Sequence, residues 1–199
     1  MPHPDALVWD DRYSNDLRWR EVRPPRSLLT THQSLLPRNG LALDAACGTT
    51  PTGLHLARQG WQVIALDVSN TALRLAQSQV QKEALTVSFA QMDLANPWLP
   101  TNQFDVILNF YYLSRPLLST YRQSMKRGGL LFFETFVRDE FIQSTTDGNP
   151  EHYLEPHELK NEFEDWHIIH YEETQRISRA TERRNRSRRI ARLVARKPE

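Results

Sequence analysis

Gly40-Leu41-Ala42-Leu43-Asp44-Ala45-Ala46-Cys47-Gly48-Thr49-Thr50-Pro51-Thr52-Gly53 is the segment from which the fold can be read. Its first half is a short apolar run broken by one acidic residue, the pattern of a strand buried on both faces. Its second half is a Gly/Thr/Pro segment. There Pro51 suits the first turn of a helix, where a missing N–H costs nothing. Leu54, Leu56 and Ala57 continue that helix, and Gly60 ends it. A buried strand that passes through a polar loop straight into a helix is half of a βαβ unit.

The unit repeats downstream. Residues 61–66 read as a second strand ending at Asp67. Ser69 or Asn70 caps a helix whose apolar positions are Ala72, Leu73, Leu75, Ala76 and Val80. A third strand spans 85–90, with Asp93 just beyond it, and a Pro-rich loop spans 96–100. A fourth strand spans 104–108 and ends near Asn109. A helix over 116–125 and the turn Gly128-Gly129 lead to a fifth strand over 130–135. Alternating apolar strands and helices with right-handed crossovers give an α/β fold. The expected form is a doubly wound, mostly parallel, seven-stranded sheet of Rossmann-like type, ending in an antiparallel C-terminal strand pair. That pair is read over 166–172 and 190–196, at the sheet edge, with exposed arginines guarding the edge. Upstream, residues 5–22 are weakly helical and carry Trp9, Tyr13, Leu17 and Trp19. A short helix over 26–36 follows Pro24-Pro25. One domain is expected over 1–199: a helical cap or lid (1–38), a core (40–135) and a closing segment (136–199).

Composition narrows the class. The chain has 199 residues, 39% hydrophobic and 25% charged, as in ordinary globular domains. Mean hydropathy is −0.60, and no apolar run approaches the roughly 18 residues of a membrane span. The first residues carry no basic-then-apolar leader, so no secretory signal is expected. A single cysteine forms no intramolecular disulfide and no cysteine metal cluster, so a reducing, cytoplasmic setting is expected and no metal. The net charge of +1 conceals a split. From Thr174 onward there are ten Arg or Lys against two Glu, while the remainder carries fifteen basic and twenty-two acidic residues. Such a tail suits an anionic partner or a solvated hairpin.

In open α/β sheets, ligands bind beyond the carboxyl ends of the strands. Four spots qualify: residues 44–53, Asp67, Asp93 and residues 109–112. A dinucleotide fingerprint needs three glycines, but Ala46, Gly48 and Pro51 stand in those positions. No Gly-Lys-Ser/Thr phosphate loop follows a strand. Yet Asp67 lies nineteen residues after Gly48 at the next strand end, where an acidic side chain accepts hydrogen bonds from ribose hydroxyls. A ribose binder without a pyrophosphate fits S-adenosylmethionine.

With these residues in place, the sequence resembles class I S-adenosylmethionine-dependent methyltransferases. Residues 43–49 look like the first motif and Leu66-Asp67-Val68-Ser69 like the ribose motif. Met92-Asp93-Leu94 looks like the adenine-proximal motif, and 104–109 and 126–131 like the two later strand motifs. Within the family the chain is most similar to small bacterial tellurite-resistance-like methyltransferases, through residues 153–159 and the closing strands. The resemblance implies that Asp67, with Val68 beside it, holds the ribose. Asp93 would take the adenine amino group, flanked by Met92 and Leu94. Asp44, Ala46, Cys47 and Gly48 would wrap the methionine end, with Asp44 near the ammonium, and Asn109 would lie close to the sulfonium. Ala46 and Thr50 depart from the family's glycines. A methyl at 46 narrows the backbone's approach to the cofactor, and Thr50 must avoid a left-handed conformation or bear its cost.

No dedicated base is evident. Cys47 reads as a small buried side chain, and the histidines as structural or surface groups. Asn109-Phe110-Tyr111-Tyr112 lacks both prolines of the Asn-Pro-Pro-Tyr motif of amino-methylating enzymes. A small-molecule methyl acceptor is therefore expected, a thiol, chalcogen or other anion that needs no base. Tyr13, Tyr111, Tyr112, Arg115 and Tyr153 are expected to wall its pocket, beneath an N-terminal lid. The alternatives are an RNA or other nucleic-acid methyltransferase working through the Arg-rich segment 176–192, and a non-catalytic domain that binds the cofactor.

Overall fold

The computed structural model describes residues 3–20, 23–138, 150–177 and 187–199. Strands β1 (Leu41–Ala45), β2 (Gln62–Asp67), β3 (Val87–Gln91) and β4 (Phe104–Phe110) are followed by β5 (Met125–Phe136), β6 (His167–Ile177) and β7 (Ser187–Arg196). They form one seven-stranded sheet in the order β3-β2-β1-β4-β5-β7-β6. Neighbours from β3 to β5 pair in parallel. β7 runs antiparallel to both β5 and β6. The expected fold is thus present, including the closing pair.

One expectation about that pair needs correcting. β6 alone is the edge strand, and β7 lies inside the sheet, so the β7 arginines do not guard an edge. Glu134, Arg192 and Glu172 stand in register across β5, β7 and β6. Arg192 donates to Glu134 Oε2 (2.9 Å) and Glu172 Oε1 (2.9 Å), and Arg189 to Glu173 Oε2 (2.6 Å). The arginines neutralise carboxylates of adjoining strands. Residues 178–186, the middle of the Arg-rich segment, and 139–149, within the closing segment, lie outside the described residues.

The helices are α1 (Pro4–Asn15), α2 (Leu17–Arg20), α3 (Ser27–Thr31), α4 (Pro51–Arg58), α5 (Asn70–Glu83), α6 (Arg115–Ser124) and α7 (Glu158–Glu162). Pro51 begins α4 as expected. Ser69 caps α5, its side chain accepting from the Ala72 N–H. Both sheet faces are covered. Phe133, Ile107, Leu117, Tyr121 and Phe163 belong to one core cluster, and Leu29, Leu56, Trp61, Phe132 and Val106 to the other. Fully buried strands need apolar residues on both sides, which is why β1 and β4 read as continuous runs. The strand order reverses between β1 and β4, opening a crevice beyond their carboxyl ends.

Candidate active site

A cleft of about 730 Å³ lies at this switch point, within the range of small-molecule sites. Three strand-end carboxylates reach it: Asp44, Asp67 and Asp93, from β1, β2 and the turn after β3. Asp44 Oδ2 accepts from the Thr50 hydroxyl (2.7 Å) and the Gly53 N–H (3.2 Å). A Cβ on Gly53 would sit 2.3 Å from Thr50 Oγ1 and 2.9 Å from Asp44 Oδ2, so the seat requires glycine. Burial pushes the Asp44 carboxyl up to about 7, against the two hydrogen bonds and the Arg26 charge, which pull it down. A cation in the cleft would restore its charge.

Asp67 Oδ2 accepts from the Gly48 N–H (2.7 Å) and Oδ1 from the Ser69 N–H (2.8 Å). Burial raises its carboxyl above the usual range. The Cys47 N–H is bound by the Leu66 carbonyl (2.9 Å) and the Thr50 N–H by the Cys47 carbonyl (2.8 Å). Three loop N–H groups that a phosphate would need are therefore committed within the fold, in keeping with the missing phosphate motif. Ala46 (φ 51°), Gly48 (φ 56°) and Thr50 (φ 49°) all adopt left-handed backbone. Ala46 and Thr50 thus bear strain of roughly 1–2 kcal/mol each. Burial, reinforced by Asp44 and Asp67, pushes the Cys47 thiol well up, which leaves it a poor nucleophile.

Helix α1 closes the cleft over this end. Asp10 Oδ1 accepts from Ser69 Oγ (2.6 Å) and the Thr71 N–H (2.9 Å), fastening α1 to the start of α5. His3 Nε2 lies 3.5 Å from Asp93 Oδ2. The Tyr13 hydroxyl occupies the bare flank of Gly48, 2.3 Å from where a Cβ would stand. Asp93 also accepts from the Ala95 N–H (2.8 Å) and Asn96 Nδ2 (3.0 Å). Val68, Met92 and Leu94 line the same end.

The other end is aromatic and basic. Tyr111 takes left-handed backbone (φ 62°), which turns its ring to the cleft. Its hydroxyl donates to the buried Glu134, and its N–H to the Glu134 carbonyl (2.7 Å). The Arg26 guanidinium lies 4.6 Å from the Tyr111 ring centre. Tyr153, Phe136 and Arg188 complete this wall, while Tyr112 lines the cleft with its phenol in the field of Asp93. Burial and Asp93 push the Tyr112 phenol up to about 12, so it stays protonated.

Two expected residues lie elsewhere. Asn109 is buried and does not line the cleft. Its Nδ2 donates to the Tyr112 carbonyl (2.8 Å) and its Oδ1 accepts from Tyr121 (2.9 Å), so it shapes the turn that presents Tyr111 and Tyr112. Arg115 likewise stands outside the cleft wall. It pairs with Glu158 (2.7 and 2.9 Å) and the Tyr153 carbonyl (3.2 Å), strapping the segment that carries Tyr153. Sequence reading missed Asp10, Arg26, Phe136, His152 and Arg188. None has a local signal, since each comes to the site through pairing or docking of distant segments.

These observations test the fit of S-adenosylmethionine. The donor set offers carboxylates for ribose hydroxyls and an ammonium, and no open phosphate cradle. The residues fit. Residues 42–129 match the family described as "Methyltransferase domain". The chain is 31% identical over 116 residues to a 2-heptyl-1-hydroxyquinolin-4(1H)-one methyltransferase of Mycobacteroides abscessus, covering 53% of this chain and 51% of that protein. It is 29% identical over 111 residues to the protein YqeM of Bacillus subtilis, covering 51% and 44%. The chain thus spans about half the length of the curated relatives it matches. The fold is that of TehB from Haemophilus influenzae, with a TM-score of 0.75 at 19% identity over 95% of this chain and 67% of that one. Sheet order, strand-end carboxylates and the match over 42–129 together support a class I S-adenosylmethionine-dependent methyltransferase, with S-adenosylmethionine as the cofactor.

Proposed function

We propose that the protein transfers a methyl group to a small-molecule acceptor that attacks as an anion. The observation that carries this is one cleft lined both by the strand-end carboxylates, suited to the cofactor, and by an aromatic wall with Arg188, suited to a negative acceptor. Bound there, S-adenosylmethionine supplies a methyl carbon already activated by its sulfonium. Asp67 holds the ribose, Asp93 the adenine edge and Asp44 the ammonium, while Arg26 answers the carboxylate. The three carboxylates bind and orient. Tyr13 and α1, as a lid over the core, exclude water and hold the acceptor in line, and proximity of this kind lowers barriers by roughly 7–11 kcal/mol. An anionic nucleophile, whether thiolate, reduced chalcogen or oxyanion, needs no proton removed, so the cleft works without a dedicated base.

The nucleic-acid reading is weakened by the pairing of Arg189 and Arg192 with carboxylates of the sheet, since phosphate affinity needs basic groups free to release counterions. A labelled-methyl transfer screen against thiols, chalcogen oxyanions, carboxylates, amines and RNA tests the proposal. Transfer to anionic small molecules is expected. Transfer confined to RNA, or to neutral amines, would overturn it.

A further inference from the structure

The aromatic end is more specific than a generic anion pocket. The Phe136 ring centre lies 5.0 Å from that of Tyr111 and 6.2 Å from that of Tyr153. The three rings line the cleft as an aromatic floor whose neighbouring rings are tilted by 45° and 46°. Arg188, near the start of β7, sets its guanidinium carbon 5.1 Å from the Phe136 ring centre and also lines the cleft. Its neighbours Arg189 and Arg192 are paired with carboxylates, but Arg188 has no carboxylate partner among the described residues. The buried carboxylate beneath Tyr111, Glu134, is held by Tyr111 and Arg192. The carboxylates in the cleft wall, Asp5, Asp44, Asp67 and Asp93, come from α1 and the ends of β1 to β3, away from this floor.

A guanidinium lying on a ring keeps its N–H edge free for an oxyanion and is weakly hydrated, so it pairs with planar carboxylates at small desolvation loss. A flat ring system fits the aromatic floor by stacking. We infer that Phe136, Tyr111, Tyr153 and Arg188 form a subsite for a planar aromatic anion. The acceptor is an arene carboxylate or arenolate whose ring rests on the three aromatics and whose negative group pairs with Arg188. This rests on the methyl-transfer reading above for the statement that the occupant is the acceptor. The subsite itself stands on the geometry.

Calorimetry on the full chain tests it with 1-naphthoate, its neutral analogue 1-naphthamide, and cyclohexanecarboxylate, which keeps the charge without the ring. Naphthoate is expected to bind about tenfold tighter than either analogue, the worth of one charge-assisted pair or one stacked ring. Arg188→Gln should weaken naphthoate about tenfold and leave naphthamide unchanged, while Arg188→Lys restores only part, since lysine lacks the planar fork. Equal binding of naphthoate and naphthamide, or an Arg188→Gln variant that binds naphthoate like the parent, would overturn the subsite. Arg188 is partly exposed, so its variants should fold, and their thermal midpoints check this. S-adenosylhomocysteine titrated into the same preparation separates the two readings. If it binds and naphthoate does not, the subsite alone fails. If naphthoate binds and it does not, the methyl-transfer reading alone fails.

Discussion

The two ends of the cleft are built in opposite ways. The carboxylate end is local: Asp44, Gly48, Thr50, Gly53, Asp67 and Ser69 lie within or just beyond one βαβ unit and bond to one another through backbone N–H groups and the Thr50 hydroxyl. The aromatic end is assembled from afar. Arg26 comes from before the sheet, Tyr111 from the end of β4, Phe136 from β5, Tyr153 from a strapped segment and Arg188 from β7. An end made of backbone geometry depends on a short stretch of chain alone. Ends made of side chains brought together by sheet order set what one chain prefers.

If the ends are as separate as this, changes at one should leave the other intact. The largest effect concerns Asp44. Its carboxyl stands at about 7 in the fold, above its ordinary value near 4. Between these values the folded chain keeps a proton that the unfolded chain has released. Stability without cofactor should therefore fall as pH rises from about 4 to about 7, by roughly 4 kcal/mol for this group. Asp44→Asn should flatten the slope in denaturant titrations across that range. An unchanged slope would mean that burial does not govern the group.

Next, Asp67→Ala should weaken S-adenosylhomocysteine about 100-fold by calorimetry, because charge-assisted hydrogen bonds to the ribose are lost and the Gly48 N–H is left without its acceptor. Naphthoate affinity in that variant should stay within about twofold, the size of ordinary long-range coupling between separate sites. Glu134→Ala is the converse. It leaves Arg192 with a single carboxylate and removes the carboxylate that accepts from the Tyr111 hydroxyl, so urea unfolding should register a loss of about 2 kcal/mol. S-adenosylhomocysteine binding should persist. The smallest effect is Ala46→Gly, which relieves a left-handed alanine (φ 51°) and should raise stability by about 0.5–1 kcal/mol, after the entropy that glycine adds to the unfolded chain. A loss of stability there would show that the Ala46 methyl packs well enough to outweigh its strain.

The parallel core was legible because periodicity and turn chemistry are local. Apolar runs marked β1, β2 and β4, Pro51 marked the start of α4, and Ser69 capped α5. The strand-end acids were legible for the same reason, since a residue that closes a buried strand lies at the rim wherever the sheet goes. Asn109 and Arg115 illustrate the limit. Their positions beside the cleft followed from the strand and helix boundaries. Whether the side chain turned into the cleft depended on partners 12 and 43 residues away, Tyr121 and Glu158. The β7 arginines were misread because an alternating basic strand looks the same at an edge or opposite glutamates. Only the register Glu134, Arg192 and Glu172 distinguishes the two.

By itself the sequence determined the winding of the sheet, the absence of a phosphate loop and the row of acids at the strand tips. Each is a property of neighbouring residues and short-range hydrogen bonding. The tertiary structure alone decided that Tyr13 stands against Gly48, that Asp10 fastens the lid, and that Arg188 reaches Phe136 at the far end. Such contacts arise from strand order and helix docking, which bring together residues far apart in the chain and leave no trace in local pattern.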